Sequence, residues 1–426
     1  MSHSRNLSQL PPELLLLIAE ELKPRDLMVY MIALPSLAYI MPKRLVVKED
    51  RIGALLHYMA ENHESAEVCR RLIPRMEIDV NATPRYTDSY LESAIRTQHT
   101  VMVDLLLARP DIKINGWKAD RSALYVATMD ECIPSLKKLL ARPDVNVNAR
   151  KRREMSVLAH AAAHGRTEGV RLLLKAPGIV IEPDPDTTVT PLSLAADAGH
   201  TDIVKLLLPL IYRTDPTGVP LVDINARSWR NKTALIRAVL NRQIKVVQQL
   251  VKHNHLQMNA RDDNGRSALS YAAEVGHLAI MRRLLGRQDI DVNVRDPHGR
   301  TPLSYAAAGG FFSACRLLVE HPDIEPHAVD QTQRRPLIYA VLSGNAKVFR
   351  LLLKQCTEGE QNLKDHTGRG AWHYAESMNR TKMMEIFSDF QRRGQIGNYD
   401  GADESNWDIT ETEESDDSDA MDEGED

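Results

Sequence analysis

Val189-Thr190-Pro191-Leu192-Ser193-Leu194-Ala195-Ala196-Asp197-Ala198-Gly199-His200, followed directly by Thr201-Asp202-Ile203-Val204-Lys205-Leu206-Leu207-Leu208, is the stretch from which the rest of the chain can be read. Its pattern recurs with the first position at Ala54, Ser89, Ser122, Ser156, Thr190, Thr233, Ser267, Thr301, Arg335 and Gly370. The gaps between these positions are 35, 33, 34, 34, 43, 34, 34, 34 and 35 residues. So constant a period marks a repeat architecture, in which each unit buries its apolar face against its neighbours.

Each unit reads as two short helices. Ser or Thr at the first position caps a helix by accepting a hydrogen bond from a free backbone N–H. Pro191, Pro302 and Pro336 occupy the first helical position, where a missing N–H costs nothing. The Leu and paired Ala that follow lie on one face, and the alanines allow close approach of the next unit. Gly165, Gly199, Gly276 and Gly344 stand where a left-handed residue ends the first helix. A second helix carries an apolar stripe such as Val170, Leu172, Leu173 and Leu174. It is followed by an extended piece such as Ile290-Asp291-Val292-Asn293-Val294 and a turn such as Asp296-Pro297-His298-Gly299.

These units resemble ankyrin repeats, and the resemblance spans residues 50–395. Stretches such as "RPDVNVNAR" and "DVNVRDPHGRTPLSYAA" are similar to the ankyrin style common in filamentous fungi. The resemblance implies an all-α repeat solenoid of about ten helix-turn-helix units with short β-turn fingers. The fourth position, usually His in the family, is His at His57 and His373 but Ser at Ser193, Ser270 and Ser304. The first three units lack the Gly-His corner. The long gap after Thr190 places a nine-residue insertion at 209–220, read as an enlarged finger loop. The tenth unit has a polar second helix at 381–393 and no further finger, as expected of a terminal cap.

The resemblance also implies where a partner binds, on finger tips and the concave face of the first helices. Here that surface comprises Lys118, Arg121, Met129, Arg152, Arg153, His164, Trp229, Arg230, Leu240, Asn241, Arg266, His298 and Arg300. Trp117 and Trp229 both fall in fingers, and exposed Trp and Arg dominate interface energies.

Residues 1–48 do not fit the repeat. Leu10, Pro11, Glu13, Leu14, Ile18, Leu22, Asp26 and Leu27 resemble the start of an F-box, which implies docking onto the Skp-type adaptor of a cullin ubiquitin ligase. Leu14, Ile18 and Leu22 share one helical stripe, Pro24 ends that helix, and Asp26 is placed to cap the next. The segment also reads as a helical cap over the first repeat, and the two readings are compatible.

Composition excludes several classes. The 426 residues contain 43 % apolar and 26 % charged side chains, with only 5 % aromatic. That suits thin helical layers better than a β-sandwich. Cys69, Cys132, Cys315 and Cys356 form no CxxC or zinc spacing, so thiols in a reducing compartment are expected. The apolar run 14–19 is short and flanked by Glu13, Glu20 and Glu21, and no stretch approaches the ~20 apolar residues of a membrane span. A cytoplasmic or nuclear protein, monomeric outside its complexes, is the expectation.

No catalytic, cofactor or metal constellation emerges. There is no phosphate loop and no HExxH. His160 and His164 are four apart without a third ligand, and read as solvated histidines. Direct nucleic-acid reading is not expected, because nothing resembles a recognition helix or stacking surface. The run Arg150-Lys151-Arg152-Arg153 fits a finger turn, an import signal or an anionic docking point.

Charge is segregated. Residues 400–426 hold fourteen Asp and Glu and no Lys or Arg, so the net charge of −4 conceals a body of +10 over residues 1–399. A basic residue precedes many units, at Arg121, Lys232, Arg266, Arg300, Arg334 and Arg369. The tail, residues 396–426, is too polar to order itself; it reads as a solubilising tail, or as one that lies intermittently on the basic row and competes with an acidic partner. Ser405 and Thr410 each have an acid three residues on, as acidophilic kinase sites do. The sequence thus points to a binding protein, either a ubiquitin-ligase substrate receptor or a scaffold without ligase coupling.

Overall fold

The computed structural model describes residues 10–40, 49–75, 78–81, 88–115, 122–151, 155–181, 189–214, 220–357 and 360–394. Three N-terminal helices, α1 (Pro12–Glu21), α2 (Pro24–Ala33) and α3 (Pro35–Ile40), precede ten helix pairs among these residues. The fold is an all-α repeat solenoid. Its described strands are limited to Arg150–Lys151 and Met155–Ser156, paired antiparallel.

The first helices begin as the capping argument requires. Ser89, Ser122, Ser156, Thr190, Thr233, Ser267 and Thr301 each accept a hydrogen bond from the backbone N–H three residues on. They also end alike. The residue nine positions after the first is left-handed in every unit from the second to the tenth: Gln98, Glu131, Gly165, Gly199, Arg242, Gly276, Gly310, Gly344 and Asn379. The corner therefore persists where glycine is missing, because the packing on both sides outweighs the ~1 kcal/mol cost of a left-handed side-chain-bearing residue.

The chain divides into two compact units, Met1–Ala195 with Lys205–Val222, and Ala196–Val204 with Asp223–Asp426. In the first, α2 packs on the first helix of repeat 1 (Glu49–Glu61) and α3 on its second helix (Ala66–Leu72), while α1 packs on α3. Leu27, Met28, Met31, Leu37 and Ala38 are fully buried there. The first helices of repeats 1 to 4 then stack in order. The insertion is not all finger. Leu208–Tyr212 continues the second helix as a 3-10 turn that buries Leu208 and Ile211, and Thr214 bridges to Pro220.

In the second unit, the first helices Ala234–Leu240, Ala268–Glu274, Pro302–Gly309, Pro336–Ser343 and Ala371–Ser377 stack in sequence, as do the second helices beside them. Their Leu and Ala faces, including Leu269, Ala272, Ala273, Leu303, Ala306 and Ala307, are fully buried.

Asparagine side chains clamp each unit to the next. Asn259 donates to the Asp289 carbonyl and accepts from the Asp291 N–H, both at 2.8 Å, and Asn293 repeats this on Asp323 and Glu325. Asn225 does so in the second unit on His255 and Gln257, and Asn81, Asn115 and Asn148 in the first. The piece read as extended at 290–294 accordingly contains a tight turn at Val292 and Asn293, which presents the clamping amide to the next unit.

Candidate protein-interaction surface

In the first unit, α1 faces outward with the wrong stripe for a buried helix. Leu15 and Ala19 point into the protein, whereas Leu14, Leu17 and Ile18 are 46 %, 57 % and 36 % exposed. Pro11 and Glu13 are exposed beside them, and Leu10 and Leu22 are half-buried. Two expectations need correction. Leu27 is completely buried under the first repeat, so it serves the core and presents nothing to a partner. Asp26 does not cap α2, because the helix opens two residues earlier at Pro24. Asp26 lies in the first turn, where its charge meets the positive end of the helix.

Further along this unit, the ends of the first helices form a polar row. Arg96 pairs with Asp88 and, at 3.4 Å, with Asp130 of the next repeat. Met129, beside Asp130, is half-buried, and His164 is exposed with Nδ1 2.9 Å from the His160 carbonyl. The His160 ring meets Tyr125 edge-on at 5.5 Å. Among the described residues no group of His, Cys, Asp or Glu is placed to hold a metal. Lys118, Arg121, Arg152 and Arg153, with Trp117 and the tail, lie outside the described residues.

In the second unit, Trp229 is 63 % exposed at a finger tip, the most exposed large apolar side chain described. Its backbone is tied down at several points. Arg230 and Asn231 are both left-handed, with φ of 61° and 56°. The turn is closed by the Ser228–Lys232 bridge and tied to the next finger by Asp263 N–H to the Arg230 carbonyl and Asn231 to Asp263 at 2.8 Å. The Arg230 guanidinium lies 4.4 Å over the indole. Below, Arg237 donates to Ser228 Oγ at 2.7 Å and to Asp197 at 3.2 Å, and Asn241 donates to the same carboxylate at 2.9 Å. One network thus joins the foot of the Trp229 finger to the helix end that exposes Leu240 and Asn241.

The remaining basic residues behave differently. Arg266 is sandwiched between the rings of Tyr271 and Tyr305 at 4.0 and 4.1 Å, and its Nη2 donates to Glu274 at 2.6 Å. Arg300 lies 5.6 Å over Tyr305, and Arg334 lies 5.8 Å over Tyr374. Arg266 is therefore spent on joining one repeat to the next. His298 is exposed at the next finger tip, its carbonyl accepting from Gln331 N–H.

Sequence reading missed the tyrosines of this row. Asp262, Asp296, Asp330 and Asp365 each accept a short hydrogen bond, 2.5 to 2.6 Å, from the tyrosine nine residues on. The other oxygen accepts two backbone N–H bonds of the finger turn, as at His298 and Arg300 for Asp296. Burial pushes the Tyr305 and Tyr339 hydroxyls upward in pKa, and the carboxylate each one meets adds to it. Burial would also raise Asp330 and Asp365, but their hydroxyl and N–H donors outweigh it and hold both below the usual carboxylate range. The constant Asp-to-Tyr spacing of nine was the available signal.

No helix of the described residues is long and apolar enough to cross a membrane. The four cysteines are free thiols.

A family model of ankyrin repeats matches residues 124–218, 210–296 and 284–365, in three copies. The crystal structure of EF0377, an ankyrin repeat protein, is similar at 24 % identity and a TM-score of 0.42, over 46 % of this chain and 96 % of that one. No curated protein sequence matches this one. With more than half of its length under that family model, the chain belongs to the ankyrin-repeat family.

Proposed function

We propose that this protein-interaction module is the substrate receptor of an F-box-type cullin ubiquitin ligase, with α1 holding a Skp-type adaptor and the finger and helix-end surface holding the target. The observation that carries this reading is the outward stripe of Leu14, Leu17 and Ile18, on a helix whose companions α2 and α3 are already anchored to the first repeat. An apolar stripe of this kind gains on the order of 3 kcal/mol when a partner covers it. For the target, Trp229 is the preferred anchor, because an exposed indole on a finger already held by its neighbours has less entropy to lose on binding.

The second reading, a scaffold or nuclear regulator without ligase coupling, is supported by the burial of Leu27, Met28 and Met31, as in a segment that caps the first repeat. The two separate in a reconstituted pull-down with a Skp-type adaptor and cullin. Wild type should capture both, and a Leu14→Asp, Ile18→Asp double variant should lose at least 100-fold in adaptor affinity while melting as wild type does. Failure of the wild type to bind the adaptor supports the scaffold.

Trp229→Ala addresses the other surface. It should leave adaptor capture and stability unchanged and weaken target association at least 30-fold, the ordinary loss at an aromatic hot spot. Proteins retained by the Leu14/Ile18 variant but lost from Trp229→Ala, scored by quantitative affinity purification, are the expected targets. An identical set in both variants removes Trp229 from the surface.

A further inference from the structure

We propose that the acidic C-terminal tail folds back and seats Trp407 in a cavity at the end of the last repeat. The cavity, of about 380 Å³, is lined by Gln361, Lys364, Trp372, His373, Phe387 and Gln391. It exists because the stack stops. In the preceding repeats of this unit the third residue of the pattern is Leu235, Leu269, Leu303 or Leu337, and each is buried. The fourth, Ile236, Ser270, Ser304 or Ile338, is buried too. In the last repeat these places are taken by Trp372, half-exposed, and His373, exposed. The cavity thus occupies the face that a following repeat covers elsewhere in this unit.

Its lining suits an aromatic side chain with acidic neighbours. Trp372, half-exposed, packs on the buried Phe387 with ring centroids 5.6 Å apart and forms an aromatic wall. Gln361 is only 9 % exposed, and its side-chain oxygen has no hydrogen-bond partner, which leaves a buried acceptor unsatisfied. Lys364 and His373 stand exposed at the rim.

The tail supplies what is missing. It continues directly from the helix Thr381–Gly394, which itself contributes Phe387 and Gln391 to the cavity. Residues 395–426 contain one tryptophan, Trp407, with Asp403, Glu404 and Asp408 around it. Trp407 follows Gly394 by thirteen residues, which extended span up to ~45 Å, several times what a return to the same helix requires. Tethering presents the indole at an effective concentration of roughly millimolar, so a weak site suffices. On the basic finger row, by contrast, Arg266 is already enclosed by two tyrosines.

Zero-length carbodiimide cross-linking of the full chain, read by mass spectrometry, tests this without disturbing the fold. Lys364 should link within the chain to Asp403, Glu404 or Asp408, and Trp407→Ala should lower the yield at least fivefold. The difference between the emission of wild type and Trp407→Phe should be blue-shifted relative to an exposed indole. A water-exposed Trp407 spectrum overturns the proposal. So do Lys364 links indifferent to Trp407→Ala, or links found only between differently labelled copies. The expectation is independent of ligase coupling, and adaptor capture should be the same for Trp407→Ala and wild type.

Discussion

Asp330→Ala is expected to destabilise the second unit by about 3 kcal/mol, measured by urea titration. Asp330 accepts from Thr332 N–H at 2.8 Å, Thr332 Oγ1 at 2.7 Å, Arg334 N–H at 2.8 Å and the Tyr339 hydroxyl at 2.5 Å. Bonds to an ionised acceptor are among the stronger ones. Removing the carboxylate leaves the Tyr339 hydroxyl without its acceptor in a buried site, and releases the finger turn that supports the next repeat. Tyr339→Phe removes one donor and no charge, and should cost about 1.5 kcal/mol. Equal effects from the two variants would show that the carboxylate contributes only through the tyrosine.

The same carboxylate gives the prediction a pH signature. Its pKa in the folded protein lies below the ordinary carboxylate value, because four donors outweigh the effect of burial. A group depressed in this way contributes its full stabilisation above its unfolded pKa, about 3.9, and loses it as pH falls through the folded value. The gap between wild type and Asp330→Ala should therefore be constant from about pH 5 to 7 and narrow below pH 4. A gap that widens on acidification contradicts the sign.

The contrast between Gly299 and Tyr305 shows what was legible in the sequence. Gly299 was readable as a turn residue because the requirement is local. It has a φ of 81°, and an added Cβ would come within 3.0 Å of the Asp330 backbone. Tyr305 was not, because its role exists only once the finger folds back over the helix and brings Asp296 to its hydroxyl. The helix caps were legible for the same local reason. The outward turn of α1 was not: both Leu14 and Leu15 fit an apolar stripe, and only the position of α3 decides which of the two is buried. Trp229 was legible as a finger residue, whereas the pair of left-handed residues that hold it upright depends on Asp263 of the next finger.

Arg109→Met should produce the other large loss, about 4 kcal/mol in the first unit. The motif Arg109-Pro110-Asp111 looks like a surface turn, yet the Arg109 side chain is only 3 % exposed. Its Nη1 donates to the carbonyls of Ile73 and Arg75 at 2.8 and 2.6 Å, and its Nη2 to that of Ile78 at 3.0 Å. The same guanidinium makes a two-point contact with Asp111, which its hydrogen bonds hold below the usual carboxylate range. Repeat 2 is thus stapled to the end of repeat 1 by donors that only a planar fork can aim in three directions. Methionine keeps much of the volume and leaves three carbonyls without their donor. Lysine restores the charge but not the fork, so Arg109→Lys should still cost about 2 kcal/mol. Arg142 repeats the motif with a quarter of its side chain in water, a 2.5 Å bond to the Leu107 carbonyl and a two-point pair with Asp144. Arg142→Met should cost about half as much, because water can replace part of what is lost. Because repeat arrays lose their junctions one at a time, hydrogen exchange in Arg109→Met should rise first in Ala66–Leu72 and Thr100–Ala108. Exchange that rises equally along the first unit, or an Arg109→Lys variant as stable as wild type, would mean that the fork is not what holds the first two repeats together.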